Sequence, residues 1–183
     1  SLDAPGEAFL LVPNSTIVVL DTRRFNNVMP TIGLYTATEN ELGAVQRAAE
    51  DVAIDLVARS ESDLDDETDV EAFVDDLEDA TAAVFWLHGA EDSMPGYDRA
   101  VDRLADAGVP LVVKSTGDAY AFEDTTVSND DRETVYEYLD RGGAANVANC
   151  LRFLADTYTG DDADTDPGED DESYAYDDPV ALP

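Results

Sequence analysis

From residue 29 onward, short apolar runs alternate with segments whose apolar residues recur every three or four positions. TIGLY (31–35) reads as a short buried strand, and Leu42, Val45, Ala49 and Val52 then mark one face of a helix. AIDLVA (53–58) is a second strand. An acidic loop follows, and then a helix with Val70, Phe73, Val74 and Leu77 at positions i, i+3, i+4 and i+7. TAAVFWLHG (81–89) is the most apolar run and is predicted to be a central strand buried on both faces. A helix bearing Tyr97, Val101 and Leu104 leads to a fourth strand, VPLVVKS (109–115). Two closing helices are expected over 129–141 and 144–158. The first carries Val135, Tyr138 and Leu139 on its apolar face, the second Val147, Cys150, Leu151, Leu154 and Tyr158.

Strands alternating with helices at this spacing imply βαβ crossovers, hence a parallel sheet covered by helices on both faces. The expected fold is α/β: a three-layer, flavodoxin-like, doubly wound sheet of about four strands, in the order 2-1-3-4 or a close relative. The chain divides into three parts. Residues 1–28 hold two apolar runs, FLLV and STIVVLD, with three acids against two arginines. They read as a hairpin, an interface arm or a non-native extension ahead of Met29. Residues 29–160 form the α/β domain. Residues 161–183 begin with an acidic stretch, ten Asp or Glu within 161–178, that reads as a linker toward a missing main body.

Charge changes the picture next. Against 43 Asp and Glu stand 10 Lys and Arg, a formal net charge of −33. The acids lie along most of the chain, on the polar sides of the helix patterns as well as in loops. That distribution suits a protein living in very high salt, where repulsion is screened and carboxylates keep the surface hydrated. Binding to a phosphate backbone would meet strong repulsion, so nucleic acid is not an expected partner. Cys150 is the single cysteine, so no internal disulfide forms. With no stretch near the roughly 18 apolar residues of a membrane span, and no basic segment ahead of an apolar core, the expected location is the cytoplasm, away from any membrane.

In a sheet of this kind ligands bind beyond the carboxyl ends of the strands. Three loops qualify: 36–40, 88–94 and 115–118. The crevice candidates on them are Thr36, Thr38, Glu39, His88, Ser115 and Thr116. TATEN (36–40) stands where a flavodoxin would hold a flavin phosphate, yet it has no glycine for close approach, and Glu39 would repel the ligand. Thr38-x-x-Glu41 and Thr68-x-x-Glu71 both fit helix capping boxes. His88 is the one histidine, with Glu91 and Asp92 close behind. A metal site needs three or four ligands, so an imidazole bonded to a neighbouring loop is the simpler expectation, and no metal is expected. Ser93 and Ser115 lack an accompanying base, and no G-x-S-x-G elbow occurs. Lys114, the sole lysine, and the TGD of 116–118 complete the rim. No set of residues supplies a nucleophile, a base and an orienting group, so no catalytic residue is assigned.

The double glycine in YLDRGGAANVANCLRFL (138–154) has a local reading: Gly142 ends one helix in a left-handed conformation, and Gly143 allows a sharp turn into the next. Asn146 and Asn149 fall off the apolar stripe and, with Arg152, are candidates for contacts with the linker or a neighbouring domain. The segment Tyr138-Leu139-x-Arg141-Gly142-Gly143-x-x-Asn146-x-x-Asn149-x-Leu151-Arg152-Phe153-Leu154 resembles the end of the N-terminal region in large subunits of the cobaltochelatase and magnesium chelatase family. The order of strand WLHG (86–89), helix, VPLVV (109–113) and a Thr-Val pair at 126–127 fits it too. Pro179, Leu182 and Pro183 resemble the start of the stretch leading to that family's main body. His88 and the long acidic spacer depart from the pattern.

The resemblance implies an N-terminal fragment of a subunit that inserts cobalt into a hydrogenobyrinic acid diamide during cobalamin synthesis. ATP hydrolysis would take place on separate AAA-type partner subunits. It implies no cofactor on this fragment, with cobalt and ATP used by the parent, and metal-inserting residues beyond residue 183. Its expected partners are the rest of its own subunit, the ATPase subunits and the tetrapyrrole. Two other readings stand beside it: a free-standing flavodoxin-like ligand-binding or signalling module, and a flavin oxidoreductase, which TATEN disfavours.

Overall fold

The computed structural model describes residues 29–116 and 122–159. The lead segment, the acidic tail and positions 117–118 of the TGD motif lie outside the described residues. Four strands, β1 (Thr31–Thr36), β2 (Asp55–Ser60), β3 (Ala82–Leu87) and β4 (Leu111–Ser115), form one parallel sheet in the order β2-β1-β3-β4. Thr36 lies beside Ser60 and Trp86, and Trp86 lies beside Lys114, so one row of side chains crosses the carboxyl edge.

Helices α1 (Glu39–Ala49), α4 (Asn129–Arg141) and α5 (Gly143–Thr159) cover one face. Helices α2 (Glu67–Leu77) and α3 (Tyr97–Ala107) cover the other. The doubly wound α/β architecture expected from the pattern is therefore the one observed. β1 and β3 are central and take apolar residues on both sides; Ile32, Tyr35, Val84 and Phe85 are fully buried. Gly33 has a packing reason: a Cβ there would lie 2.2 Å from Leu77 Cδ2, so its absence lets α2 press against β1.

Two local expectations change. Helix α2 is capped by Asp66, whose Oδ1 accepts from the N–H of Thr68 at 2.8 Å and of Asp69 at 3.0 Å, so Thr68-x-x-Glu71 is not the capping box. A carboxylate two residues earlier reaches the same orphan N–H groups and carries a favourable charge for the helix N-terminus. At α1 the cap is Thr38, whose Oγ1 accepts from Glu41 N–H at 3.3 Å, but the glutamate side chain does not complete the box. It turns to other partners, described below.

Gly142 has φ 63° and ψ −171°, and Gly143 has φ 81°. The first ends α4, donating its N–H to Tyr138 O at 3.1 Å, though in a more extended conformation than the expected left-handed cap. Both backbones suit glycine, which lacks the Cβ that makes positive φ costly. Asp140 meets Lys114 at the end of β4, which brings this turn to the carboxyl edge of the sheet.

Candidate functional site

The carboxyl edge gathers the first turns of α1, α2 and α3 and the loops that precede them. Thr36 ends β1 fully buried. Its hydroxyl accepts the Thr38 N–H at 3.1 Å and lies 3.0 Å from both Thr38 O and Glu41 Oε2, either of which can take its proton. The other oxygen of Glu41 stands 3.0 Å from His88 Nε2. One carboxylate thus joins the end of β1, the first turn of α1 and the residue after β3. The sequence suggested an imidazole bonded to a neighbouring loop; the partner is a helix residue instead.

The same contacts occupy the loop where a phosphate would sit. The N–H of Thr38 is bonded to the Thr36 hydroxyl and that of Glu41 to the Thr38 hydroxyl. Phosphate cradles need such groups free. Glu39 and Glu41 add negative charge at the same turn.

Beside this turn opens a cavity of about 510 Å³, whose lining includes Thr38, Glu39, Glu61, Ser62 and Asp65. Ser62 Oγ donates to Glu39 Oε1 at 2.8 Å, and Asp63 Oδ2 accepts from both the N–H and the hydroxyl of Ser60, so the loop after β2 is tied to itself and to α1. That loop was not among the three singled out from the sequence. The strand order offered the signal, because β2 lies next to β1 and its loop must border the same crevice. Nearby, burial pushes the Tyr35 hydroxyl up to about 12, with the charge of Glu61 adding to the effect; it donates to Ser93 O at 3.2 Å.

The six crevice candidates separate accordingly. Thr38 and Glu39 line the cavity, and Thr36 and His88 meet through Glu41. Ser115 and Thr116 serve the neighbouring strand end: Ser115 Oγ accepts the Gly89 N–H at 3.1 Å, and Thr116 donates both its N–H and its hydroxyl to Leu87 O. Lys114 is buried, with Nζ 2.7 Å from Asp140 Oδ1 and 4.9 Å from the Tyr136 ring centroid. It holds α4 to β4. The indole N–H of Trp86 is buried without a hydrogen-bond partner. Among the described residues no group of three His, Cys, Asp or Glu side chains is placed to hold a metal ion.

Asn146 and Asn149 turn inward and find hydrogen-bond partners in α5 and the turn before it. Asn146 is fully buried and donates from Nδ2 to Gly142 O at 2.8 Å, closing on the last carbonyl before α5. Asn149 is 6% exposed, and its Oδ1 accepts from Arg152 at 2.9 Å. Arg152 also donates to Asp51 O at 3.0 Å, tying α5 to the end of α1. Helix α5 packs against both α1 and α4, and its buried side-chain amides are hydrogen-bonded within that packing.

No helix among the described residues is long and apolar enough to cross a membrane. No family model matches the chain, and no curated protein matches it. Among solved structures, the catalytic subunit of cobaltochelatase from Mycobacterium tuberculosis matches over 84% of this chain with a TM-score of 0.58 and 22% identity. The match occupies 12% of that subunit, so the chain spans a small part of its length. At this identity the likeness is one of fold: the α/β domain described above has the architecture of a segment of that much larger protein.

Proposed function

We propose that this chain is the N-terminal, non-catalytic domain of an ATP-dependent cobaltochelatase large subunit, acting in cobalt insertion into a hydrogenobyrinic acid diamide. The observation that carries the reading is the fold match to one segment of a cobaltochelatase catalytic subunit over most of this chain. The double-glycine block at 138–154, which resembles that family, lies within the described fold. A non-catalytic role suits the carboxyl edge, where Thr36, Ser115, Thr116 and His88 all serve to join loops and strand ends. The domain would shape or support the subunit that holds the tetrapyrrole. The remainder of that subunit and AAA-type ATPase subunits would be its partners in the cytoplasm.

The experiment is to detect the native polypeptide in cells of the source organism with an antibody to this domain. A band several times larger than 19.7 kDa supports the reading. A band near 19.7 kDa sinks it and leaves a free-standing α/β module. Contact with the macrocycle is a separate question, answered by the fluorescence of Trp86, the single tryptophan, at the carboxyl edge. A bound tetrapyrrole quenches it; unchanged emission at saturating tetrapyrrole, with the intact subunit as positive control, rules out direct binding here.

A further inference from the structure

β4 is the outer strand on one side of the sheet, with β3 as its strand partner. Its backbone groups alternate in direction. Pro110 O and Thr116 N–H bond to β3, so Leu111 and Val113 between them turn their N–H and C=O groups outward. A strand edge of this kind, whose side chains Leu111, Val112 and Val113 are buried, is a template for pairing with another strand.

Residues 122–128 run back along this edge. Leu111 N–H donates to Thr126 Oγ1 at 2.9 Å, and Thr126 N–H donates to Leu111 O at 2.9 Å. Val113 N–H donates to Thr125 Oγ1 at 3.0 Å, and Val113 O accepts from the Tyr136 hydroxyl of α4. The outward groups of both residues are thus taken, mostly by side-chain hydroxyls. The segment is also anchored on both faces of the sheet. Phe122 packs against the core on the α2 and α3 side, and Val127 against the core on the α1, α4 and α5 side, so the chain crosses the edge between them. Asp124 Oδ2 accepts from the Tyr97 hydroxyl at 2.8 Å.

We propose that residues 122–128 guard the sheet edge: the hydroxyls of Thr125 and Thr126 fill the places of a fifth strand, and without them β4 pairs with β4 of a second copy of this chain. An edge that pairs with itself about a two-fold axis makes a closed dimer. The formal charge of −33 opposes self-association at low salt, but molar salt shortens its reach to about 3 Å and removes that protection. Hydroxyl bonds to the strand are local and keep the edge closed at any ionic strength. The guard serves a free-standing chain and a part of a larger subunit alike.

Sedimentation velocity in high salt and amide hydrogen exchange test this on the 183-residue chain and on a variant carrying Thr125→Val and Thr126→Val. Valine keeps the shape and removes the hydroxyl, and Thr125 is half-buried and Thr126 exposed, so the core is untouched. The variant should sediment as a dimer at concentrations where the native chain is a monomer. When dilute, it should exchange the Leu111 and Val113 amides roughly tenfold faster than the native chain, the loss of about one hydrogen bond each. Concentrating it should slow them again. A variant carrying Thr125→Ser and Thr126→Ser keeps the hydroxyls and should match the native chain in both measurements. Identical sedimentation of the valine variant and the native chain overturns the guard, as does association of the serine variant. Unchanged exchange in the dilute valine variant overturns it too, because the hydroxyls then do not hold the edge. Should the valine pair fail to fold, Thr125→Val alone frees only the Val113 N–H and is read by the same two measurements.

Discussion

His88 Nε2 and Glu41 Oε1 lie 3.0 Å apart, joining the residue that follows the central strand β3 to the first turn of α1. The pair is partly exposed, whereas the second oxygen of Glu41 reaches the fully buried Thr36. Glu41 is thus the shared member of two contacts, and His88 belongs to one.

Their substitutions should differ in that order. Glu41→Ala removes both contacts and leaves the Thr36 hydroxyl with Thr38 alone, costing about 1–2 kcal/mol. His88→Ala removes one partly solvated pair, costing under about 1 kcal/mol. Denaturant unfolding of the two variants in high salt checks this; a larger loss for His88→Ala would show that the histidine has a role beyond Glu41.

Lys114 and Asp140 should behave asymmetrically. Lys114 is buried, while the Asp140 side chain is 64% exposed. Asp140→Ala strands a buried ammonium with only the Tyr136 ring and the Ser115 carbonyl, 3.5 Å away, for partners among the described residues. Because water reaches the carboxylate side, a loss of about 1–3 kcal/mol is expected, below the range for fully buried pairs. Lys114→Met removes the charge itself and should cost less. The reverse ranking in thermal or chemical unfolding would refute a buried, partner-dependent lysine.

Cys150 should be silent to thiol reagents in the folded protein. Burial pushes its thiol up to about 12, which leaves almost no thiolate at neutral pH, and the side chain is buried in the core. A chromogenic disulfide reagent at pH 8 should register no thiol before unfolding and one per chain after it. Rapid reaction in the native state would place Cys150 at the surface.

Alkaline pH should weaken the fold through Tyr35. Its hydroxyl has an ordinary value of 10.0 and is held at about 12 in the folded state, chiefly by burial. The raised value means that the neutral phenol favours folding. That stability is fully present below pH 10 and is lost as pH rises through 12. Tyr35→Phe should make the stability curve flatter between those values, although buried Tyr97 and half-buried Tyr158, also raised, keep some slope. Identical slopes in both proteins would mean that Tyr35 ionises freely in the native state.

Much of this fold could be read from periodicity because burial and chain direction impose it locally. Val70, Phe73, Val74 and Leu77 are all buried, as one face of a helix packed on a sheet must be. The apolar run before His88 became a central strand for the same reason. Capping was legible in kind but not in detail: Thr38 caps α1, while Asp66 outcompetes Thr68 at α2, a choice between neighbouring side chains made by local backbone geometry.

The candidate site was legible only as a location. That ligands would meet the carboxyl ends of the strands followed from the fold class, but Glu61, Ser62 and Asp65 became part of the crevice because β2 pairs with β1. Residues 41 and 88 are far apart along the chain and carry no mark of their meeting. Asn146 and Asn149 sit off an apolar stripe, where polar residues usually face water. They are buried because α5 is covered on two sides, by α1 and by α4. The sequence by itself determined which segments would be strands and helices and that the sheet would be parallel, since those follow from side-chain periodicity and short-range chain geometry. Only the tertiary structure decided which polar groups pair, because hydrogen bonds and ion pairs depend on separations of a few ångströms that exist once the helices have docked.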